Sequence, residues 1–347
     1  MPRDILMSEE TLFRDDSVFN PDHIPDQFMF RDSQLRELTY ALRPAIRGGR
    51  PSNVFIMGSP ATGKTTSVRL VSGEIKKETD RITMVHINCH MHSSPFKIFS
   101  ELHRKVFGIA PPDSGVPISG VREKVFTKIG KEKKALVVVL DDINKLFDND
   151  CANDVMYTIL RAHESYEGMV TGIIAISTEK VLHLLDDRVR SIFSPVGIDF
   201  PRYTDNEMIR ILKKRCDAGL YPSVMPDTFL EKIVRKSTDL RFAIELVKQC
   251  VIKAEADAAM GVDEIHLERA LKSMAEKMEE GKSQRLLYMI KKKGPIESGD
   301  LYRLFSEETK ISYTTFYRLL KKLQENGSAE IKPLNKDRGK TSMIKAL

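Results

Sequence analysis

Eight residues, "GSPATGKT" from Gly58 to Thr65, restrict what this chain can fold into more than any other feature. An apolar run, "NVFIMG", leads into them, and "PATGKTTSVRLVSGEIKK" leaves them with helical character. A glycine-rich turn between a buried strand and a helix is the phosphate-loop pattern. Gly58 and Gly63 let the backbone curl so that the N–H groups of the loop face a phosphate; the loop runs through Ser59, Pro60 (which has no N–H to offer), Ala61 and Thr62 to Thr66. The helix N-terminus adds partial positive charge. Lys64 is expected to reach the β- and γ-phosphates and the Thr65 hydroxyl to ligate Mg²⁺, so ATP or ADP is the expected cofactor.

A second stretch, "VVVLDDINKLF" from Val137 to Phe147, runs β-branched residues into two carboxylates. Asp141 falls at the strand end, where a parallel sheet delivers residues to a phosphate, and is expected to hold Mg²⁺. Asp142 is the second acid, where brisk ATPases usually carry the longer glutamate.

Around these motifs the pattern is α/β. Short apolar runs ("ITMVHIN", "ALVVVLDD", "MVTGIIAIS", "VGIDF") alternate with helical periodicity, which predicts a parallel sheet covered on both faces. With 347 residues the chain is expected to hold two or three domains. The predicted order is a polar N-terminal tail (1–20), a nucleotide-binding base (21–201), a helical lid (202–281) and a C-terminal module (282–347). No apolar run is long enough to span a membrane, and the N-terminus lacks the apolar core of a secretion signal. Cys89, Cys151, Cys216 and Cys250 are too far apart for a zinc or redox pair, and His90 and His92 have no matching ligands nearby.

Charge is uneven. The net charge is +6, yet residues 282–347 alone hold 15 Lys and Arg against 7 Asp and Glu. A basic module on a nearly neutral body predicts a polyanionic partner. Within it, "ISYTTFYRLLKKLQENG" places Phe316, Leu319, Leu320 and Leu323 on one helical face, and Ser312 or Thr314 can cap its start. Thr314, Thr315, Tyr317, Arg318, Lys321 and Lys322 then face outward, as in a helix that enters a major groove. The basic turn "NKDRGK" between two β-leaning segments predicts a wing that offers Lys336, Arg338 and Lys340 to phosphates.

The order of phosphate loop, "LVVVLDDIN", "IAIST", "LDDRVRS" and "DLRFAIEL" resembles the AAA+ ATPases. It is closest to the archaeal replication initiators related to the eukaryotic origin recognition complex and the cell-division-control loader, from about Phe30 and Arg31 to the C-terminus. The resemblance implies an AAA+ base, a helical lid and a winged-helix domain. It implies Thr178 or Ser177 as the sensor of the fourth strand. It gives Arg188, with Arg190 as the lesser candidate, as the arginine that reaches a neighbour's nucleotide, and Arg241 as the lid arginine. It also implies a DNA-contacting helix within His90–Gly108, with Lys97, Arg104 and Lys105 against phosphates. The chain departs from the family at Asp142, where glutamate is usual, and at Thr178, where asparagine is usual. Both changes fall on water positioning and neither on binding, so the expected behaviour is tight nucleotide binding with slow turnover. The implied function is an initiator, cytoplasmic and nucleoid-associated, that binds origin repeats in double-stranded DNA, with the replicative helicase (MCM) and neighbouring protomers as partners. Alternatives are a branch-migration or clamp-loading motor and a nucleotide-gated transcription regulator.

Overall fold

The structure, a computed structural model, describes residues 11–112, 115–336 and 339–347. The elements run α1 (Asp32–Ile46), β1 (Val54–Gly58), α2 (Lys64–Glu78), β2 (Ile82–Asn88), α3 (Pro95–Phe107), α4 (Ile118–Lys131), β3 (Ala135–Asp141), α5 (Asn144–Phe147), α6 (Ala152–Leu160), α7 (Ala162–Ser165), β4 (Val170–Ser177), α8 (Asp187–Phe193) and β5 (Val196–Phe200). The helices α9 (Asp205–Gly219), α10 (Asp227–Lys236), α11 (Leu240–Ala256) and α12 (Glu264–Lys293) follow. The chain ends with β6 (Ile296–Glu297), α13 (Ser298–Thr309), α14 (Tyr313–Glu325), β7 (Ala329–Lys336) and β8 (Gly339–Ala346).

The five strands β1–β5 form one parallel sheet in the order β2-β3-β4-β1-β5. Every residue of β3 is buried. Leu136, Val138 and Leu140 pack on one face with α3, α4 and α6, and Ala135, Val137 and Val139 pack on the other with α1 and α2. Burial on both faces is why this strand is an unbroken apolar run rather than an alternating one. The strand order also positions the site. β4 lies between β1 and β3, so the ends of three neighbouring strands carry the phosphate loop, Thr178 and Asp141.

Phe13–Glu245 forms one compact unit, and Leu246–Leu347, with Thr11 and Leu12, a second. In the second, α13 and α14 pack on the end of α12 and on a three-stranded antiparallel sheet in the order β6-β8-β7. Leu286, Ile290, Leu301, Phe305, Phe316, Leu319, Leu320, Leu323 and Ile344 are its buried core. Helices followed by a β-hairpin are the winged-helix arrangement.

Three sequence readings differ from the structure. The stretch "NDVMYTILRAHESY", whose periodicity alone predicts one helix, forms two, α6 and α7, broken at Arg161. The lid boundary expected at 281/282 falls inside the unbroken 30-residue α12. Gly281 does not interrupt it, because an exposed helical glycine lowers stability without ending the helix. The predicted polar tail, 1–20, contains an ordered segment. Asp16–Phe19 form a 3-10 turn with Val18 and Phe19 buried, and Phe13 bridges to Leu220. Two isolated apolar residues give no periodicity, so nothing in the sequence announces this packing.

Candidate functional site

The turn after β1 has the curled backbone its glycines predict. Gly63 has φ +91° and Ala61 φ +60°, both in the left-handed region that such a tight turn needs. A Cβ on Gly58 would lie 2.4 Å from the Phe200 carbonyl oxygen, so the strand neighbour alone demands glycine there. Thr62 closes the turn by donating its hydroxyl to Ser59 O at 2.9 Å.

A cavity of about 1020 Å³ opens on this turn. Pro60 to Thr66 line it, together with Asp141, Asp142, Thr178 and Arg241. Gly58 and Ser59 lie behind the loop, where their carbonyls accept bonds from Lys64 Nζ at 2.7 and 2.8 Å. Lys64 is only 7% exposed, and among the described residues no carboxylate forms an ion pair with it. Burial pushes its pKa down, and the charges of Asp141 and Asp142 partly oppose that. A buried ammonium beside an open cavity is what an incoming anion stabilises.

The Thr65 hydroxyl donates to Asp141 Oδ2 at 2.8 Å, which brings the first turn of α2 and the end of β3 together. Burial would raise the Asp141 pKa, but bonds from His86, Thr65 and the Asp142 N–H outweigh it and hold the carboxyl below its usual value. Asp142 goes the other way: burial, then the neighbouring Asp141 charge, raise it. Its backbone is left-handed, φ +55°. Short Asp tolerates that region better than longer side chains do, because its carboxylate bonds locally.

At the end of β4 the structure separates Thr178 from Ser177. Ser177 is buried, and its hydroxyl is engaged with the backbone of Glu179. Thr178 lines the cavity. Arg241, near the start of α11, lines it as well. Arg188 does not. It is 68% exposed on α8, bonded to Asp186 Oδ2 at 2.8 Å and lying over the Tyr157 ring. Arg190 donates to Leu185 O at 2.9 Å.

The basic candidates elsewhere divide. On α3, Lys97 is exposed, but Arg104 forms a two-pronged bond to Glu101 at 2.7 and 2.6 Å, and Lys105 lies 3.9 Å from the same carboxylate. Glu101 thus compensates part of the charge expected to face phosphates. On α14, the Ser312 hydroxyl, not that of Thr314, caps the first turn. Thr314, Tyr317 (56% exposed), Arg318 (66%), Lys321 and Lys322 stand on the outer surface, and Thr315 is half-buried. Arg318 lies 3.7 Å from Glu279, and Lys321 3.7 Å from Glu325, both loose surface pairs. Arg338 lies outside the described residues. Of Lys336 and Lys340 only the strand positions are described, at the turn end of β7 and β8.

Two contributors escape the sequence. His86 on β2 has its Nε2 2.9 Å from Asp141 Oδ2. The clue was a histidine inside an apolar strand, two residues before its end, but it acquires meaning only once β2 is known to lie beside β3. The segment before α1 is the other: Val18, Asn20, His23 and Phe28 line the cavity opposite Ile211 and Leu240.

The geometry agrees with what this chain is similar to. Residues 27–166 match the model for an AAA ATPase domain. The ORC1-type DNA replication protein 2 of Methanothermobacter thermautotrophicus is 41% identical over 334 residues, 93% of this chain and 88% of that protein. The ORC1-type DNA replication protein 2 of Methanosarcina mazei is 38% identical over 99% of this chain and 95% of its own length. Among solved structures, the Aeropyrum pernix ORC1 protein in complex with DNA superimposes with a TM-score of 0.73 at 23% identity, over 97% of this chain and 94% of that one. The Aeropyrum pernix ORC2 protein in its ADPNP–ADP complexes gives 0.66 at 22% identity, over 96% and 94%. A nucleotide cavity on a parallel sheet, a helices-plus-hairpin C-terminal module, and two-fifths identity along nearly the whole chain place it in the ORC1-type DNA replication protein family.

Proposed function

We propose that the chain is an ATP-dependent replication initiator that binds origin repeats in double-stranded DNA and helps load the replicative helicase (MCM), with ATP acting as a slowly hydrolysed switch. The observation that carries this is the gathering of Lys64, Thr65, Asp141, Asp142, Thr178 and Arg241 around one cavity. The relatives are named DNA replication proteins, and one structural neighbour was solved with DNA, which supports the partner.

In this reading the loop N–H groups and Lys64 hold the phosphates, and Arg241 reaches them from α11. Thr65 and Asp141 hold Mg²⁺: their oxygens already lie 2.8 Å apart, and Asp141 stays ionised at neutral pH. Bound with the nucleotide, the ion neutralises phosphate charge. Thr178 and Asp142 place the attacking water. Asp142 serves poorly, because it is one methylene shorter than the glutamate that brisk ATPases usually carry. A misplacement of about 1 Å can cost about a hundredfold in rate. Arg188 does not line its own cavity, and its exposed guanidinium serves a neighbouring protomer on DNA. Thr314, Thr315, Tyr317, Arg318, Lys321 and Lys322 face the major groove, and Lys336, Arg338 and Lys340 the flanking phosphates. Lys97, Arg104 and Lys105 make a second, weaker contact.

DNA binding by the full chain over a salt series tests the assignment. Replacing Arg318, Lys321 and Lys322 with alanine is expected to lower the slope of log affinity against log salt by about one for each phosphate no longer neutralised. An unchanged slope would move the module to protein docking.

A further inference from the structure

Behind the phosphate loop lies a buried arginine that none of the roles above uses. Arg31, at the N-cap of α1, is 2% exposed. Its Nε donates to Thr62 O at 3.0 Å, its Nη2 to Pro201 O at 2.7 Å and its Nη1 to Phe30 O at 2.7 Å. The guanidinium lies 3.8 Å from the centroid of the Tyr203 ring. Among the described residues no carboxylate forms an ion pair with it. Burial lowers its pKa, so the charge is retained against a desolvation cost. Three carbonyls and two ring faces, Tyr203 and, at 5.8 Å, Phe200, replace the missing anion.

The acceptors belong to three separate segments. Thr62 is in the phosphate loop, one residue before Gly63. Pro201 follows β5 and begins the connection to α9. Phe30 precedes α1. Tyr203, under the guanidinium, also reaches the loop: a Cβ on Gly63 would lie 2.9 Å from its hydroxyl. Only a planar fork with several donors fits this arrangement, and lysine, a point charge on a flexible stem, does not.

Phe30 adds a second link. Its φ is +62°, left-handed, where a bulky residue is strained. Such strain persists where the surroundings over-determine it. The Phe30 ring lies under the guanidinium of Arg210 on α9, 5.0 Å from the centroid. The dipeptide 30–31 therefore touches the phosphate loop, the connection to α9, and α9 itself.

We propose that Arg31, set in place by the left-handed Phe30, is the positioning residue that couples the phosphate loop to α9, so that an anion turning the Thr62 peptide is felt at the start of the lid. This rests on the nucleotide reading of the cavity. Arg31 is not a catalytic residue, because it is not among the residues that line the cavity.

The test uses the full chain, a fluorescent ATP analogue for binding, and amide hydrogen exchange of residues 205–219 with and without ATP. In the wild type ATP slows exchange in α9. Arg31→Lys is expected still to bind the analogue, but to lose about tenfold of the ATP-induced protection, within the usual range of coupling between sites. Arg31→Ala is expected to behave likewise, and guanidinium ion at concentrations far below denaturing ones is expected to restore protection. Phe30→Gly separates coupling from stability: it relieves the backbone and removes the ring under Arg210, so it is expected to fold as well as the wild type yet show weaker protection. ATP-induced protection at the wild-type level in both Arg31→Lys and Phe30→Gly would overturn the proposal. A wild-type chain that binds no analogue would instead overturn the nucleotide reading on which it rests.

Discussion

The cavity of the first unit and the outer face of α14 both concentrate charge, and they do so in opposite ways. In the first unit, Lys64 and Asp141 beside the cavity and Arg31 behind the phosphate loop are buried, and each makes two or more bonds to named partners. On α14, Arg318 and Lys321 are exposed and held only by loose pairs. Buried charges have one arrangement and are costly to disturb, whereas exposed ones are individually worth little and act by number. A site that must distinguish one phosphate geometry needs the first design. A surface that tracks a polyanion works with the second, since such binding is collective and salt-dependent.

That contrast can be broken in several ways. The largest effect is expected from Phe316→Ala in the core of the C-terminal module, about 3–5 kcal/mol. Hydrogen exchange in α13 and α14 would show that module opening while nucleotide binding persists; loss of both together would show that the two regions are not separable. Next, Lys64→Ala removes a buried charged donor and is expected to weaken ATP binding by roughly 10- to 100-fold, by about 1.5–3 kcal/mol for a charged hydrogen bond. Calorimetric titration measures it. A single alanine at Lys321, by contrast, is expected to change DNA affinity only slightly and uniformly across sequences, which anisotropy would detect.

Asp142→Asn is expected to alter single-turnover hydrolysis by less than about threefold, because a misplaced acid contributes little. A large slowing would show that Asp142 is a competent base. The smallest effects are in stability against pH, measured on the nucleotide-free chain. Asp141 is depressed in the fold, so its contribution is present above the ordinary aspartate pKa of about 3.9 and is lost as pH falls through its lower folded value. Asp142 is raised, so its ionisation weakens the fold as pH rises through and beyond that range. At neutral pH Asp141→Asn is therefore expected to lower Tm and Asp142→Asn to raise it, with the second difference vanishing in acid.

Residues whose placement follows from local order were legible from the start. Gly58, Lys64 and Thr65 carry their chemistry in their spacing, and the apolar run of β3 predicted both its burial and the delivery of Asp141. Residues whose role depends on which segments become neighbours were not. His86 matters because β2 lies beside β3, and Arg31 because Thr62 and Pro201 meet at α1. Phe30 and Asp142 are left-handed at positions whose side chains give no such signal for Phe and only a weak one for Asp. Arg104 is expected from the resemblance to face a phosphate, and its spacing alone did not announce that Glu101, one turn away, pairs with it.

The most direct test of the account is the affinity of the full chain for duplex DNA at one fixed salt concentration, with and without ATP. The account predicts that ATP shifts that affinity by about fivefold or more in the wild type, and that Lys64→Ala abolishes the shift without changing the nucleotide-free value. Equal affinity with and without ATP in a wild-type chain that demonstrably binds ATP would contradict it.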